Sequence, residues 1–223
     1  IPEAMEQILT NQSRIPARIT VLKPISAAIA IGTGGPFGAE GPIIATGGAA
    51  GSVIGQMLHC TIAERKTLLA AGAAAGMAAT FGCPVAAVLL AMELLLFEFR
   101  PRSIIPVALA SVTAAGVRMS MVGAEPIFGM PNLEHPTFTA LCCYIAMGAV
   151  VGLVAAAVTK ALYVIEDGFD HLPIHWMWWP AIGAVAVGIV GWLAPNTLGV
   201  GYYNIRNILS LSDGLTIGAI AWL

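Results

Sequence analysis

A polytopic α-helical membrane protein is the fold class this sequence predicts, and three observations carry the prediction. Of 223 residues, 58% are hydrophobic and only 10% charged, against about 25% charged in ordinary soluble domains. The mean hydropathy is +0.85. The apolar runs are continuous, not alternating, which excludes a transmembrane barrel built from alternating strands of about ten residues. Ten basic and twelve acidic residues cannot cover a water-soluble surface of this size. The net charge of −2 forms no basic patch and gives no reason to expect nucleic acid.

Taken in order, residues 1–20 are polar and read as a short amphipathic helix and a loop. Apolar runs follow from Val21 to Gly35 and from Gly41 to about Leu58. The polar stretch 61–66 (TIAERK) reads as a break, followed by runs from Thr67 to Phe81 and from Pro84 to about Phe97. A charged hinge, 98–102 (EFRPR), leads to a run from Ser103 to about Val117. A loop containing Gly123, Pro126, Gly129, Pro131 and Pro136 separates it from Phe138 to about Val164. The last runs are about Trp176 to Leu193 and Leu215 to Leu223. Ile1 is preceded by no basic n-region and followed by no cleavage site, so no signal peptide is visible and Ile1 reads as other than the natural start.

The runs at 21–35, 67–81 and 84–97 are shorter than the roughly 20 residues needed to cross the hydrocarbon core, and Gly and Pro bound each. Such segments mark broken helices that end inside the bilayer, tolerated where their free N–H groups line a cavity. Kinked full spans are the alternative. Gly47-x-x-x-Gly51-x-x-x-Gly55, Gly72-x-x-x-Gly76 and Gly148-x-x-x-Gly152 predict close helix packing. The cluster Trp176-Met177-Trp178-Trp179 reads as an interfacial aromatic belt. Cys60, Cys83, Cys142 and Cys143 show no framework spacing and read as small buried hydrophobes. His171 and His175 are four apart, but Pro173 between them argues for loop histidines over a metal pair. No metal site and no cofactor are expected.

The run 32–44 (GTGGPFGAEGPII) carries the chemistry. It sets one carboxylate, Glu40, between two apolar segments, where an ionisable group costs at least about 2.5 kcal/mol and marks an ion or proton pathway. Pro42 suits a first helical turn. Gly38 and Gly41 allow tight turning and close backbone approach. The N–H groups of Ala39, Glu40 and Gly41 then point away from a helix start that carries about half a positive charge, a ready anion site. Such a site binds an anion without a full cation, and conduction needs weak binding. A deprotonated Glu40 can occupy the anion position itself; a protonated one can swing away. The competing reading is an acidic residue that only complements a helix dipole. The glycines fit neither G-x-G-x-x-G nor a P-loop. No G-x-S-x-G elbow supports an intramembrane hydrolase. The chain is not expected to be an enzyme.

GAEGP at 38–42 resembles the central motif of the CLC family of chloride channels and chloride/proton antiporters. The stretch 71–93 (AGAAAGMAATFGCPVAAVLLAME) is similar to a long family segment, and Ile1-Pro2-Glu3 looks like the tail of the family's GSGIP motif. The resemblance implies an inverted-repeat bundle of tilted, broken transmembrane helices. It implies a single membrane domain fragment, with about 1–120 the rest of the first half and about 137–223 the start of the second. By the same resemblance Glu40 is the outer gate and proton-transfer residue. The amides of Ala39, Glu40 and Gly41 are the anion ligands, with Gly38 and Pro42 as framework. Expected partners are chloride as the transported ion, protons, the lipid bilayer and a second copy in a homodimer, with Pro84 to Val117 as the interface. The expected location is a bacterial inner membrane.

Two departures stand out. Ala39 replaces the family's usual Lys or Arg. Leu94 follows Glu93 where antiporters usually carry a second, inner glutamate. The motif-one serine, the GxFxP motif and the pathway's C-terminal tyrosine are absent from the chain. Chloride/proton exchange gated by Glu40 is the leading expectation. A passive channel and a non-transporting relative are the alternatives.

Overall fold

The computed structural model describes residues 2–125, 128 and 137–210. Most of the proline-containing loop, Ile1 and the last apolar run lie outside the described residues. Nine α-helices are described. They are α1 (Pro2–Thr10), α2 (Ala17–Gly32), α3 (Glu40–Met57), α4 (Ile62–Phe81), α5 (Pro84–Ala91), α6 (Pro101–Val122), α7 (Phe138–Asp170), α8 (Trp179–Leu193) and α9 (Tyr202–Ser210). No strand occurs among the described residues. The helices fall into two compact units, one of α1–α6 with α9 and one of α7 and α8.

In the first unit the central pair is α3 against α4, with α2 on α3, α6 on α4, and α5 wedged against α4 and α6. Glycine makes the central contact. A Cβ at Gly47 would strike the Gly72 carbonyl, one at Gly51 the Leu68 carbonyl, and one at Gly72 the Gly47 carbonyl. Backbone therefore lies directly on backbone, as the small-residue spacing predicts. Around it Leu69, Ala70, Ala73, Ala74 and Ala78 of α4 are buried with Ala87, Ala91, Leu95, Leu96 and Val107. Alanine dominates this core because helices this close leave room for little more.

α4 is longer than the apolar run from Thr67 to Phe81. Thr61 and Glu64 form a capping box: the Thr61 hydroxyl accepts from the Glu64 N–H, and Glu64 accepts from the Thr61 N–H at 2.9 Å. The stretch read as a polar break is thus the cap and first turn, and α4 has 20 residues, enough to cross the hydrocarbon core. The run starting at Pro84 stays short. α5 has 8 residues and passes into a π-turn at Met92–Leu96 that ends on Phe97 in the left-handed region (φ 53°). The Lys66 ammonium donates to the Leu96 carbonyl there and sits 5.7 Å from the Phe97 ring centre.

Polar residues of α3 and α4 hold the turn between α1 and α2. The buried Ser52 hydroxyl donates to the Ser13 carbonyl (2.6 Å) and accepts from the Ile15 N–H (3.0 Å). Gln56 donates to the Ile15 carbonyl (3.0 Å), and Arg65 to the Gln12 carbonyl (3.1 Å). Gln12 and Ser13 both adopt positive φ, and these four bonds satisfy backbone groups of the turn that no helix pairs.

In the second unit, α7 has 33 residues, about 50 Å at 1.5 Å per residue, so it crosses a bilayer only with tilt. None of its residues is buried within the chain. An apolar helix exposed all round belongs against lipid or other membrane segments. Among the described residues three segments, Pro101–Val122, Phe138–Asp170 and Trp176–Leu193, are long and apolar enough to span, and the chain is an integral membrane protein. The expectation of buried cysteines fails: Cys142 and Cys143 on α7 are exposed, and Cys60 and Cys83 are half-buried. The pair Gly148 and Gly152 packs against nothing within 4 Å in this chain. His171 ends α7 and His175 caps the short 3-10 turn before α8. Among the described residues no cluster of three metal-ligating side chains exists.

Gly72→Ala should force α3 and α4 apart and destabilise the protein by about 1–3 kcal/mol, read as a lower melting temperature in detergent. Ser52→Ala leaves the Ile15 N–H and the Ser13 carbonyl without this partner and should cost about 1–3 kcal/mol by the same measurement.

Candidate functional site

Glu40 is the first residue of α3. Ala39 precedes it as N-cap, already in helical conformation (φ −77°, ψ −14°), with no side-chain cap. The first bond of the helix closes from the Ile43 N–H to the Ala39 carbonyl at 3.1 Å. Pro42 has no N–H to offer. The amides of Ala39, Glu40 and Gly41 therefore precede the hydrogen-bonded ladder, at the positive end of an 18-residue helix. These are the three amides the sequence singles out.

The Glu40 side chain is exposed and turns back over the loop before its own helix. A Cβ on Gly38 would collide with its carboxylate. Gly38 is thus a flat bed for the acid, which explains a glycine at a position whose backbone needs none. Beside the start of α3 lies a cavity of about 430 Å³, lined by Ile31, Ala39, Pro42, Thr46, Gly76 and Thr80 among others. No charged side chain lines it. The Thr46 hydroxyl donates to the Pro42 carbonyl (2.7 Å). A second cavity, about 570 Å³, lies at the far end of α3 around Thr61, Glu98 and Arg102, away from the Glu40 chemistry.

The structure adds two residues that sequence reasoning missed. The turn before α9 meets the loop before α3, with the Gly199 N–H donating to the Gly34 carbonyl (3.2 Å). Both glycines have positive φ, +79° and +95°, which lets two tight turns touch through their backbones. Tyr202, at the start of α9, is thereby brought to Glu40. Its ring meets Phe128 edge-on, with centres 5.8 Å apart. Burial and then the Glu40 charge beside it push the phenol above its ordinary range. The hydroxyl oxygen is buried and closes no hydrogen bond of good geometry. The signal in the sequence was faint: two glycines and two tyrosines in GVGYY (199–203), far along the chain from Glu40.

The second glutamates offer less. Glu93 is exposed on the π-turn and Leu94 beside it is half-buried. Glu98, in the loop before α6, accepts the Ser103 hydroxyl at 2.6 Å and pairs with Arg100 at 3.4 Å. The Ser103 bond, with lesser help from the positive charges of Arg100, Lys66 and Arg102, holds its carboxyl below the usual range. Glu98 is therefore kept ionised and tied to its own loop, a poor acid for passing protons near neutral pH.

A Gly38→Ala substitution should displace the Glu40 carboxylate while leaving α3 intact. The variant's structure should show Glu40 in another rotamer, with the Ile43 to Ala39 bond unchanged.

The family described as voltage gated chloride channel matches residues 1–223. The chain is 29% identical over 200 residues to the chloride channel protein CLC-e of Arabidopsis thaliana, covering 84% of this chain and 28% of that protein. It is 30% identical over 158 residues to the H(+)/Cl(-) exchange transporter ClcA of Vibrio campbellii, covering 70% and 34%. Among solved structures it resembles a slow cyanobacterial Cl-/H+ antiporter, with a TM-score of 0.67, 26% identity, and coverage of 76% of this chain and 41% of that one. The chain thus spans roughly a third of the length of the two named relatives. With the family match running from end to end and the helix-start carboxylate in its motif, this chain belongs to the voltage-gated chloride channel family.

Proposed function

We propose that this chain carries the outer part of an anion pathway in a protein that moves chloride across a membrane in exchange for protons, with Glu40 as gate and proton acceptor. The observation that carries the reading is the placement of the Glu40 carboxylate at a helix start whose amides, those of Ala39, Glu40 and Gly41, precede the helical ladder. Chloride at those amides and the ionised carboxylate compete for one positive end. Protonation removes the charge that holds the acid there, and this links proton occupancy to anion passage. Both the exchange transporter from Vibrio campbellii and the antiporter structure support exchange. No cofactor enters this mechanism, and no enzymatic step.

Passive conduction is the second reading, and Leu94 favours it. An apolar side chain sits where an inner proton acceptor is expected, and Glu98 is tied down in its loop. Glu40 then gates without carrying protons through.

A homodimer is part of the proposal. α5 and α6 present an apolar face through Val85, Leu89, Ile105, Leu109 and Val112, all exposed in the single chain, within the stretch Pro84 to Val117. The remaining apolar surface faces the lipid bilayer. The membrane proposed is a bacterial inner membrane, although relatives from a plant are as similar as bacterial ones.

The full protein in liposomes tests the gate. Under a chloride gradient the wild type should drive protons uphill as chloride leaves. Glu40→Gln should abolish proton movement and keep or raise chloride efflux. Proton movement that persists in this variant removes Glu40 as carrier. Chloride efflux without proton movement in the wild type selects the passive reading.

A further inference from the structure

Tyr202 is a buried polar group in search of an acceptor. Its hydroxyl oxygen is buried and unpaired among the described residues. Its ring is braced edge-on by Phe128. The Gly199 to Gly34 bond ties the turn before it to the loop that leads into α3. The acceptor that shares this corner is the Glu40 carboxylate, whose charge the phenol feels. The acid lies over Gly38, which has no side chain to hold it in place.

We infer that Tyr202 is a positioning residue for the gate, its hydroxyl donating to the ionised Glu40 carboxylate and holding it back over Gly38. The inference rests on the reading of Glu40 as gate and adds what sets the pH at which that gate moves.

A donated hydrogen bond favours the charged form of a carboxylate. A bond from the Tyr202 hydroxyl therefore favours the docked, charged acid, and removing the hydroxyl removes that preference. On protonation the acid loses its charge, the bond weakens, and the side chain is released. Few other titratable groups share this corner. The last turns of α2, the loop 33–39 and the rest of α3 carry none besides Glu40, and the facing residues of α4 near Gly76 carry none. α9 adds Tyr203, which is exposed, and Arg206 one turn beyond Tyr202; the segment before Phe128 adds Glu125.

The test is chloride efflux from liposomes across a pH series, with the full-length protein and its Tyr202→Phe, Glu40→Gln and doubly substituted variants. Tyr202→Phe keeps the ring against Phe128 and removes only the hydroxyl. The pH of half-maximal efflux should move up by about one unit. The double variant should reproduce the profile of Glu40→Gln alone. An unshifted Tyr202→Phe profile, with Glu40→Gln abolishing the pH dependence, overturns the role of Tyr202 and leaves the gate standing. A shift that persists in the Glu40→Gln background also overturns it, because the hydroxyl then acts elsewhere. If Glu40→Gln keeps the wild-type pH dependence, the gate reading fails and this inference with it. Wild-type structures at high and low pH give an independent check should Tyr202→Phe not fold. The Tyr202 hydroxyl should lie within hydrogen-bond distance of Glu40 at high pH and part from it at low pH. A separation that does not change with pH overturns the inference.

Discussion

Backbone contact between α3 and α4 is the constraint on which the first unit depends. Gly47 and Gly72 each fill the space that the other's side chain would need, and Gly51 does the same against Leu68. In a membrane the lipid tails are as apolar as the helix surface, so close van der Waals approach between backbones replaces the hydrophobic drive that assembles soluble bundles. Once α3 lies this close to α4, its start is fixed relative to the rest of the unit. Glu40 occupies that start, so the position of a charge is decided by an absence of side chains two to three turns away.

Polar satisfaction is the second constraint. A turn with two positive-φ residues joins α1 to α2, and its carbonyls and N–H groups would each cost about 1–3 kcal/mol if buried unpaired. Ser52, Gln56 and Arg65 reach it from α3 and α4. These polar residues inside the helices thus bind backbone. Tyr202 is the exception in kind. Its hydroxyl is buried without a settled partner, next to the carboxylate proposed as the gate.

The proposed anion chemistry of the site needs no cation. Ala39 leaves the outer end of α3 without the positive side chain usual in the family, and the cavity beside it has no charged lining. In the proposed mechanism an anion is attracted by the end of a helix, worth about 0.3–1 kcal/mol at an exposed terminus and up to about 2 when partly buried. That is weak enough for release, which transport requires.

Much of the site was legible in the sequence because its chemistry is local. Pro42, Gly38, Gly41 and Glu40 specify a helix start and its free amides within five residues, and helix starts obey rules of short range. The small-residue spacing on α3 and α4 was legible for the same reason. The charged stretch at 61–66 misled, since its capping signal, Thr61 with Glu64, is also local but was outweighed by the charges it contains. Composition settled the membrane class and left the environment of each apolar residue open: Cys142 and Cys143 look like core residues in sequence and are exposed on α7. Only the tertiary structure could bring Tyr202 and Phe128 to Glu40. That meeting depends on two glycine turns, distant in the chain, bonding through their backbones, and no periodicity or motif encodes which turn finds which. The sequence by itself determined the helices, the membrane and the acid at the helix start, because neighbouring residues dictate these. The partner of that acid was decided by packing, because contacts between remote segments follow from the whole fold.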